Sequence, residues 1–504
     1  MTNSQNCSFV SKLSNIFWPI ERYENKKFIP MALMMAFILF NYATLRSIKD
    51  GLVVTNIGPE AISFLKTYFV LPSAMLLMVA YAKLCNIMNA RSVFNFITTI
   101  FLIFFVIFTF VLYPNPNFFH ASEETLETLS TNYPNFKWLI RICGNWSYGM
   151  FYIVAEMWGS MMVSLLFWQF ANQITKTGEA KRFYSMFGLI GNVGLLFVSL
   201  ALYVLLNDNL NIVPQDVKLI PVLGLVSINC LVVLYLYRWL NENVLTDPEL
   251  YNPAEIGPKK KNKVKLSIAD SFKMILTSKY LGLIAMLVFS YGVSINLVEG
   301  VWKSKLRELY TDEVSYTAFM GQFQAYQGTV AIFFMLVGAN ILRKVSWFTA
   351  AMFTPLMILV TGSAFFSFII FDSTIGLQVA AFFGTGPVAL VAMIGTAQNV
   401  LSKGVKYSLF DSTKEMSYIP LDDEMKSKGK AAVDVIGGRL GKSGGGLIQS
   451  SLFAILPTYT FAEATPYFAI VFFVIVMLWV FAVKMLGNEY HKKLLELEVS
   501  KDTA

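Results

Sequence analysis

The sequence predicts an all-α membrane protein with twelve transmembrane helices, arranged as two six-helix halves in a parallel pseudo-repeat. Three observations support this fold class. The 504-residue chain is 56% hydrophobic and only 14% charged, whereas soluble domains carry about 25% charged residues. Long apolar runs recur along the chain, and short motifs of one half return in the other. The composition excludes a soluble enzyme, a disordered chain and a nucleic-acid-binding protein.

Each predicted helix is an apolar run of about 20 residues, the length needed to cross a hydrocarbon core of about 30 Å. Polar, proline-containing or glycine-containing breaks separate the runs. The predicted spans, in chain order, are residues 28–45, 61–81, 93–113, 146–170, 183–206, 219–239, 280–301, 316–341, 347–371, 376–401, 431–456 and 466–486. The eleventh is the weakest, because several glycines and charged residues interrupt its first half.

Lysine and arginine are distributed unevenly between the two sides of the membrane. With both termini cytoplasmic, 29 of the 40 Lys and Arg residues fall in cytoplasmic segments and 8, including Lys303, in external ones. Cytoplasmic loops are enriched in these residues, so topology explains most of the net charge of +8. The predicted regions are a cytoplasmic N-terminus (1–27), an N-terminal six-helix bundle (28–239), a basic cytoplasmic linker (240–279), a C-terminal six-helix bundle (280–486) and a cytoplasmic tail (487–504).

Short matches between the halves indicate an internal duplication. Residues 188–194 in span five resemble 438–444 in span eleven, and 48–51 at the end of span one resemble 298–300 in span seven. The matches keep the order of the spans. Two parallel six-span halves joined by a long cytoplasmic loop are typical of the major-facilitator architecture, which holds its substrate between the halves near the middle of the bilayer.

Charged residues lie inside the predicted spans, although a charge at the bilayer centre costs about 2.5 to 3.5 kcal/mol. They are Lys66, Glu156, Glu299, Asp434, Arg439 and Lys442, with Arg46, Lys49 and Asp50 at the outer end of span one. Residues four apart share a helix face. Tyr152 and Glu156 therefore lie on one polar stripe of span four. A similar stripe in span seven contains Asn296, Glu299 and Lys303, which are spaced three and four residues apart. We expect both stripes to face a central cavity.

Span eleven combines a basic face with a row of glycines. Gly437, Gly441 and Gly445 recur every four residues, roughly opposite Arg439 and Lys442. Small residues at this spacing allow transmembrane helices to pack closely. The row therefore predicts tight contact with a neighbouring helix.

Interior cations from both halves indicate an anionic substrate, because ammonium and guanidinium groups neutralise and hydrogen-bond phosphate oxygens. We expect Lys66, Arg439 and Lys442 to bind phosphates, and Arg46 and Lys49 to attract them at the outer mouth. The side chains that could contact a base or ribose are Tyr152, Asn192, Asn296, Gln324 and Gln398. The competing interpretation is that these charges form ion pairs that only hold the helices together.

The same residues lie in segments that closely resemble the ATP/ADP translocases of obligate intracellular bacteria, part of the non-mitochondrial nucleotide transporter family shared with plastids. The resemblance covers nearly the whole chain and is carried by residues 41–51, 64–68, 155–159, 167–172, 296–303 and 437–444. It implies exchange of host ATP for bacterial ADP across the bacterial inner membrane, without hydrolysis. In the family, four intramembrane charges are implicated in transport, and they match Lys66, Glu156, Glu299 and Lys442.

The expected partners are ATP and ADP as substrates and a lipid bilayer, with the protein active as a monomer. No cofactor, resident metal, nucleic acid or catalytic group is expected. Glu156 and Glu299 should pair with the cations when the site is empty, because an unpaired buried charge is costly. The alternatives are a nucleotide carrier with another base specificity or with proton or phosphate coupling and, more distantly, a polytopic membrane enzyme.

Overall fold

The computed structural model describes residues 20–207, 210, 212–214, 217–251, 268–371, 374, 376–422, 425–433 and 437–502. Long helices dominate this part of the chain, and each is numbered by the predicted span that it overlaps. The first six are α1 (Asn25–Asn56), α2 (Ala61–Ile87), α3 (Ala90–Leu112), α4 (Trp146–Ile174), α5 (Thr177–Leu206) and α6 (Leu219–Asn243). The second six are α7 (Lys279–Leu309), α8 (Glu313–Lys344), α9 (Trp347–Ile370), α10 (Pro387–Ser417), α11 (Gly438–Ile455) and α12 (Phe461–Asp502).

Ten of the helices in the described part of the chain are long and apolar enough to cross a membrane, and each overlaps a predicted span. The other two, α8 and α11, coincide with the eighth and eleventh predicted spans but fall outside that set. The all-helical, multi-pass fold class is therefore confirmed. The predicted count of twelve spans is supported for ten of them by length and composition.

Several helices end later than predicted because charged residues lie inside them. Predicted span one ends before Arg46, whereas α1 continues through Lys49 and Asp50. Predicted span seven ends before Lys303, which is an interior residue of α7 and not part of an external loop. These side chains find counter-ions on other helices, so the chain can keep them at membrane depth.

The tenth span begins later than predicted. A short helix, Leu377–Phe382, is followed by a turn in which Gly384 has a φ of 65°, a left-handed conformation that glycine adopts without strain. α10 then starts at Pro387, a residue that suits the first turn of a helix because it needs no N–H partner there. Its later end places Lys403 inside the helix and not in a cytoplasmic loop.

The predicted linker and termini are described only in part. Residues 1–19 and 252–267 lie outside the described residues. A short helix, Ile268–Thr277, precedes α7. Residues 487–502 of the predicted tail continue α12, and the cytoplasmic location of this tail stays a prediction.

The two halves are joined at the end of the bundle that carries the α1–α2, α7–α8 and α11–α12 connections, called here the closed end. The Asn56 side chain donates a 3.0 Å hydrogen bond to the Glu313 carboxylate, and the backbone N–H of Phe461 donates a 3.1 Å bond to Glu60. α11 packs against the part of α2 nearest this end. In the rest of α2, Leu71–Ile87, every described side chain retains solvent exposure.

α11 lies backbone to backbone against α7. A Cβ atom placed on Gly292 of α7 would lie 2.7 Å from the backbone carbon of Gly441, and one placed on Gly445 would lie 2.6 Å from the Cβ of Asn296. Nothing larger than glycine fits such spacing unless the helices separate. The close packing predicted from the glycine row is therefore confirmed, and the neighbouring helix is α7.

We expect Gly292→Ala to destabilise the protein, because the added methyl group forces the two backbones apart. Overpacking of this kind typically costs about 1 to 3 kcal/mol. Thermal unfolding of the purified protein should therefore show a lowered Tm. Gly224→Ala in α6 is the matched control, since nothing lies within 4 Å of its added Cβ. Equal Tm values for the two variants would contradict this interpretation of the contact.

Candidate functional site

Charged side chains from both halves meet between α1, α2, α4 and α7. Asp50 in α1 pairs with Lys49 at 3.0 Å and with Lys303 of α7 at 2.9 Å. The side chains of Asp50 and Lys303 are 0% and 2% exposed. This ion pair therefore joins the two halves out of contact with solvent.

Glu299 in α7 is shared by cations from three helices. The ammonium group of Lys303, one turn further along α7, lies 2.9 Å from its carboxylate. Lys66 of α2 approaches to 3.7 Å and Arg46 of α1 to 3.9 Å. Lys66 also donates a 2.9 Å hydrogen bond to the side-chain oxygen of Asn296. Glu299 thus compensates charges from both halves at once.

Glu156 in α4 is the most accessible of the three carboxylates, with 38% of its side chain exposed. It pairs with Lys49 at 3.0 Å. The Lys49 ammonium also lies 3.8 Å from the centroid of the buried Tyr152 ring, where the negative face of the aromatic system stabilises it. The polar stripe of α4 therefore runs from a buried tyrosine to an accessible carboxylate.

The site carries more positive than negative charge. The central cluster is defined here as Arg46, Lys49, Lys66, Lys303 and Lys403 with Asp50, Glu156 and Glu299. Five cations against three carboxylates leave two positive charges without a counter-ion among these residues. Because buried charges need compensation, this arrangement favours an anionic ligand.

Helical geometry changes next to three members of the cluster. π-helical segments occupy Leu65–Val70 in α2, Gly159–Leu166 in α4 and Lys406–Phe410 in α10. Lys66 lies in the first segment, and Glu156 and Lys403 lie shortly before the second and third. Such segments appear mostly as single turns inside α-helices and frequently mark functional sites.

Arg46 and Lys49 are not at an outer mouth, where the sequence analysis places them. Lys49 is 3% exposed, and both residues pair with carboxylates inside the bundle. The difference follows from the length of α1, which reaches the closed end only at Asn56. Their place is in the central cluster.

The residues expected to contact a base or a ribose differ in their surroundings, and their role stays a prediction. Asn296 belongs with Lys66, whereas Gln324 and Gln398 are almost fully buried. Neither amide atom of Gln398 has a hydrogen-bond partner within the described part of the chain. Asn192 lies in α5, but its side chain is outside the described residues, so its role stays a prediction.

The side chains of Arg439 and Lys442 are also outside the described residues. Their helix, α11, lies against α2 beside the cluster, since a Cβ placed on Gly446 would lie 2.8 Å from the Thr67 hydroxyl and 3.6 Å from the Cβ of Lys66. The roles predicted for the two cations therefore stay predictions.

The sequence-based site omits Asp50, Lys303 and Lys403. Lys303 follows Glu299 by four residues on one helix face, which is a usable signal for an ion pair. Asp50 is adjacent to Lys49 in sequence, but its pairing with the other half has no local signature. Lys403 can be recognised as a site residue only when α10 is known to continue past it.

A bundle of apolar helices with a cationic centre between two halves defines a multi-pass membrane transporter. Solved structures share this helical fold. The chain matches a bacterial homologue of the iron transporter ferroportin in an inward-facing state with a TM-score of 0.57, covering 93% of this chain and 100% of that chain at 13% identity. It matches the POT family transporter PepTSo with a TM-score of 0.55, covering 94% and 99% at 10% identity.

The chain belongs to the TLC ATP/ADP transporter family, whose model matches residues 3–490. It is 61% identical to ADP,ATP carrier protein 1 of Rickettsia bellii over 490 residues, which cover 97% of this chain and 98% of the relative. It is 59% identical to the protein of the same name from Rickettsia prowazekii, with the same coverage. ADP,ATP carrier protein 3 of Rickettsia bellii is 44% identical over 96% of this chain and 98% of its own length. The resemblance drawn from the sequence is therefore confirmed.

Proposed function

We propose that this chain is an ATP/ADP antiporter that imports host ATP in exchange for ADP across a bacterial inner membrane. The observation that carries the proposal is the net-positive central cluster, formed jointly by the two halves. A nucleoside polyphosphate has the charge and the hydrogen-bond acceptors that such a cluster lacks. The family, and relatives named ADP,ATP carrier proteins, support nucleotide substrates.

Arg46 and Lys66 are the substrate-binding cations on the first half. Their distances of 3.9 and 3.7 Å from Glu299 are longer than charge-assisted hydrogen bonds, which are about 2.7 to 2.9 Å. Neither donor makes a short hydrogen bond to this carboxylate, so both can turn from it to phosphate oxygens when a nucleotide enters. Arg439 and Lys442 complete the phosphate site in this proposal, because their helix passes directly beside Lys66.

Obligatory exchange follows from the pairing of charges across the halves. Opening the closed end of an empty carrier separates Asp50 of α1 from Lys303 of α7. Breaking a buried ion pair costs about 3 to 5 kcal/mol, because it leaves charges without compensation. A bound nucleotide supplies replacement negative charge as the halves part. The loaded carrier therefore reorients and the empty carrier does not.

The test is uptake of labelled ATP into vesicles reconstituted with the purified protein. Vesicles loaded with ADP should accumulate ATP, whereas vesicles without internal nucleotide should show only the leak measured without protein. A folded protein whose ATP uptake is independent of internal ADP would contradict antiport.

The same vesicles distinguish the alternatives. A proton-coupled carrier takes ATP into empty vesicles when a pH gradient is imposed, and a phosphate-coupled carrier does so when phosphate is inside. A carrier for another base is inhibited more strongly by that nucleotide than by unlabelled ATP. A membrane enzyme changes the chemical identity of the nucleotide that is recovered.

We also propose that both termini are cytoplasmic and that one chain is the working unit. The uneven distribution of lysine and arginine supports the orientation. The two halves that form the central cluster both belong to one chain, as expected for a monomeric transporter.

A further inference from the structure

Lys403 in α10 differs from the other cations of the central cluster. Its ammonium group lies 5.5 Å from the centroid of the Phe323 ring of α8. Among the described residues, no carboxylate oxygen comes within the 4.0 Å of an ion pair with it. Arg46 is a close electrostatic neighbour and repels it, and nearby Glu299 already serves three other cations.

Lys403 is accessible as well as uncompensated. Its side chain is partly exposed, as are those of Arg46 and Lys66. The fully buried Lys303, by contrast, is held between Asp50 and Glu299. A partly exposed cation over an aromatic ring, with no paired carboxylate among the described residues, has the properties of a ligand-binding group and not of a structural ion pair.

The helix geometry around Lys403 matches that around the proposed substrate residues. The π-helical segment Lys406–Phe410 begins three residues after it, as comparable segments lie at Lys66 and just after Glu156. A π segment interrupts the regular hydrogen-bond ladder, so it is a natural place for a helix to bend. The part of α10 that carries Lys403 can therefore shift without unwinding the whole helix.

We propose that Lys403 is a further substrate ligand, which binds phosphate oxygens of the nucleotide and draws α10 toward Arg46 and Lys66 on the other half. This inference rests on the proposed antiport function. One polyphosphate then bridges cations of both halves. The attraction between the bound phosphates and these cations then draws the two halves together around the substrate.

The decisive variant is Lys403→Met, which keeps the apolar stem over Phe323 and removes only the charge. Because the charge has no ion-pair partner in the described part of the chain, its removal should leave the Tm without ligand equal or higher. A structural role for Lys403 predicts a lower Tm. Lys414→Gln is the matched control, since Lys414 lies near the end of the same helix and pairs with Glu415 at 3.5 Å.

Binding is measured on the purified proteins with ATP, inorganic tripolyphosphate and AMP. In Lys403→Met we expect ATP and tripolyphosphate to bind about 10- to 100-fold more weakly, the loss typical of a hydrogen bond to a charged group. AMP, with a single phosphate, should lose less. Lys403→Arg, which keeps the charge, should recover most of the ATP affinity. Lys414→Gln should bind all three ligands as the parent does.

Two results would overturn the inference. The first is an ATP affinity within about threefold of the parent in Lys403→Met. The second is a lowered Tm, or failure to fold, together with equal losses for ATP and AMP, which would assign Lys403 a structural role. If the parent protein neither binds nor exchanges nucleotides, the proposed function fails instead, so the two failures are distinguishable.

Discussion

Glu299→Gln is expected to reduce ATP/ADP exchange at least ~100-fold and to destabilise the empty protein. The substitution keeps the shape of the side chain but removes the charge that compensates Arg46, Lys66 and Lys303. Loss of one partner of a buried ion pair typically costs about 3 to 5 kcal/mol, and about 1.4 kcal/mol corresponds to a factor of ten in rate. Vesicle exchange and thermal unfolding measure the two effects separately.

Glu308→Gln provides the control within the same helix. Glu308 pairs with Lys305 at 2.8 Å, but 41% of its side chain is exposed. Exposed pairs contribute only about 0 to 1 kcal/mol, so exchange and Tm should stay close to those of the parent. Parental exchange by folded Glu299→Gln protein would refute the role given to Glu299.

Breaking the pair between Asp50 and Lys303 should have the second large effect. Asp50→Asn leaves Lys303 with Glu299 alone and Lys49 with Glu156 alone. The expected loss of stability is again about 3 to 5 kcal/mol. The double variant Asp50→Asn/Lys303→Met removes both charges and should recover most of that loss. It should also take up ATP into vesicles without internal ADP, because the empty carrier no longer separates this pair.

A double-mutant cycle on these two positions isolates the interaction. Residues in contact show non-additive changes of about 0.5 to 3 kcal/mol, whereas distant residues add. Additive changes would mean that Asp50 and Lys303 do not interact in the working protein. Strict dependence on internal ADP in the double variant would mean that some other contact prevents reorientation of the empty carrier.

The helices could be predicted from the sequence because apolar runs of membrane length carry a strong signal. Their ends could not be predicted where charges occur at membrane depth. The sequence analysis ends span one before Arg46, because a span is assumed to end where charged residues reach water. In the structure, Arg46 pairs instead with Glu299 and Asp50 with Lys303, both in the other half.

The candidate site was predictable in part for the same reason. Lys66, Glu156 and Glu299 stand alone in apolar runs and are conspicuous. Lys303 and Lys403 lie near predicted span ends, where lysine is common in loops. Helical periodicity also fails across a π segment, because the extra residue per turn rotates everything beyond it. Residue spacing therefore cannot show whether a residue before Lys406–Phe410 and one after it lie on the same face of α10.

The glycine contact between α7 and α11 couples the movement of these two helices during transport. With Gly292 and Gly441 in backbone contact, no side-chain rotamer change can relieve the close packing of the two helices. We therefore expect α7 and α11 to move as one rigid unit that includes Glu299 of α7. We expect a compound that forced these two helices apart to block transport without resembling the nucleotide.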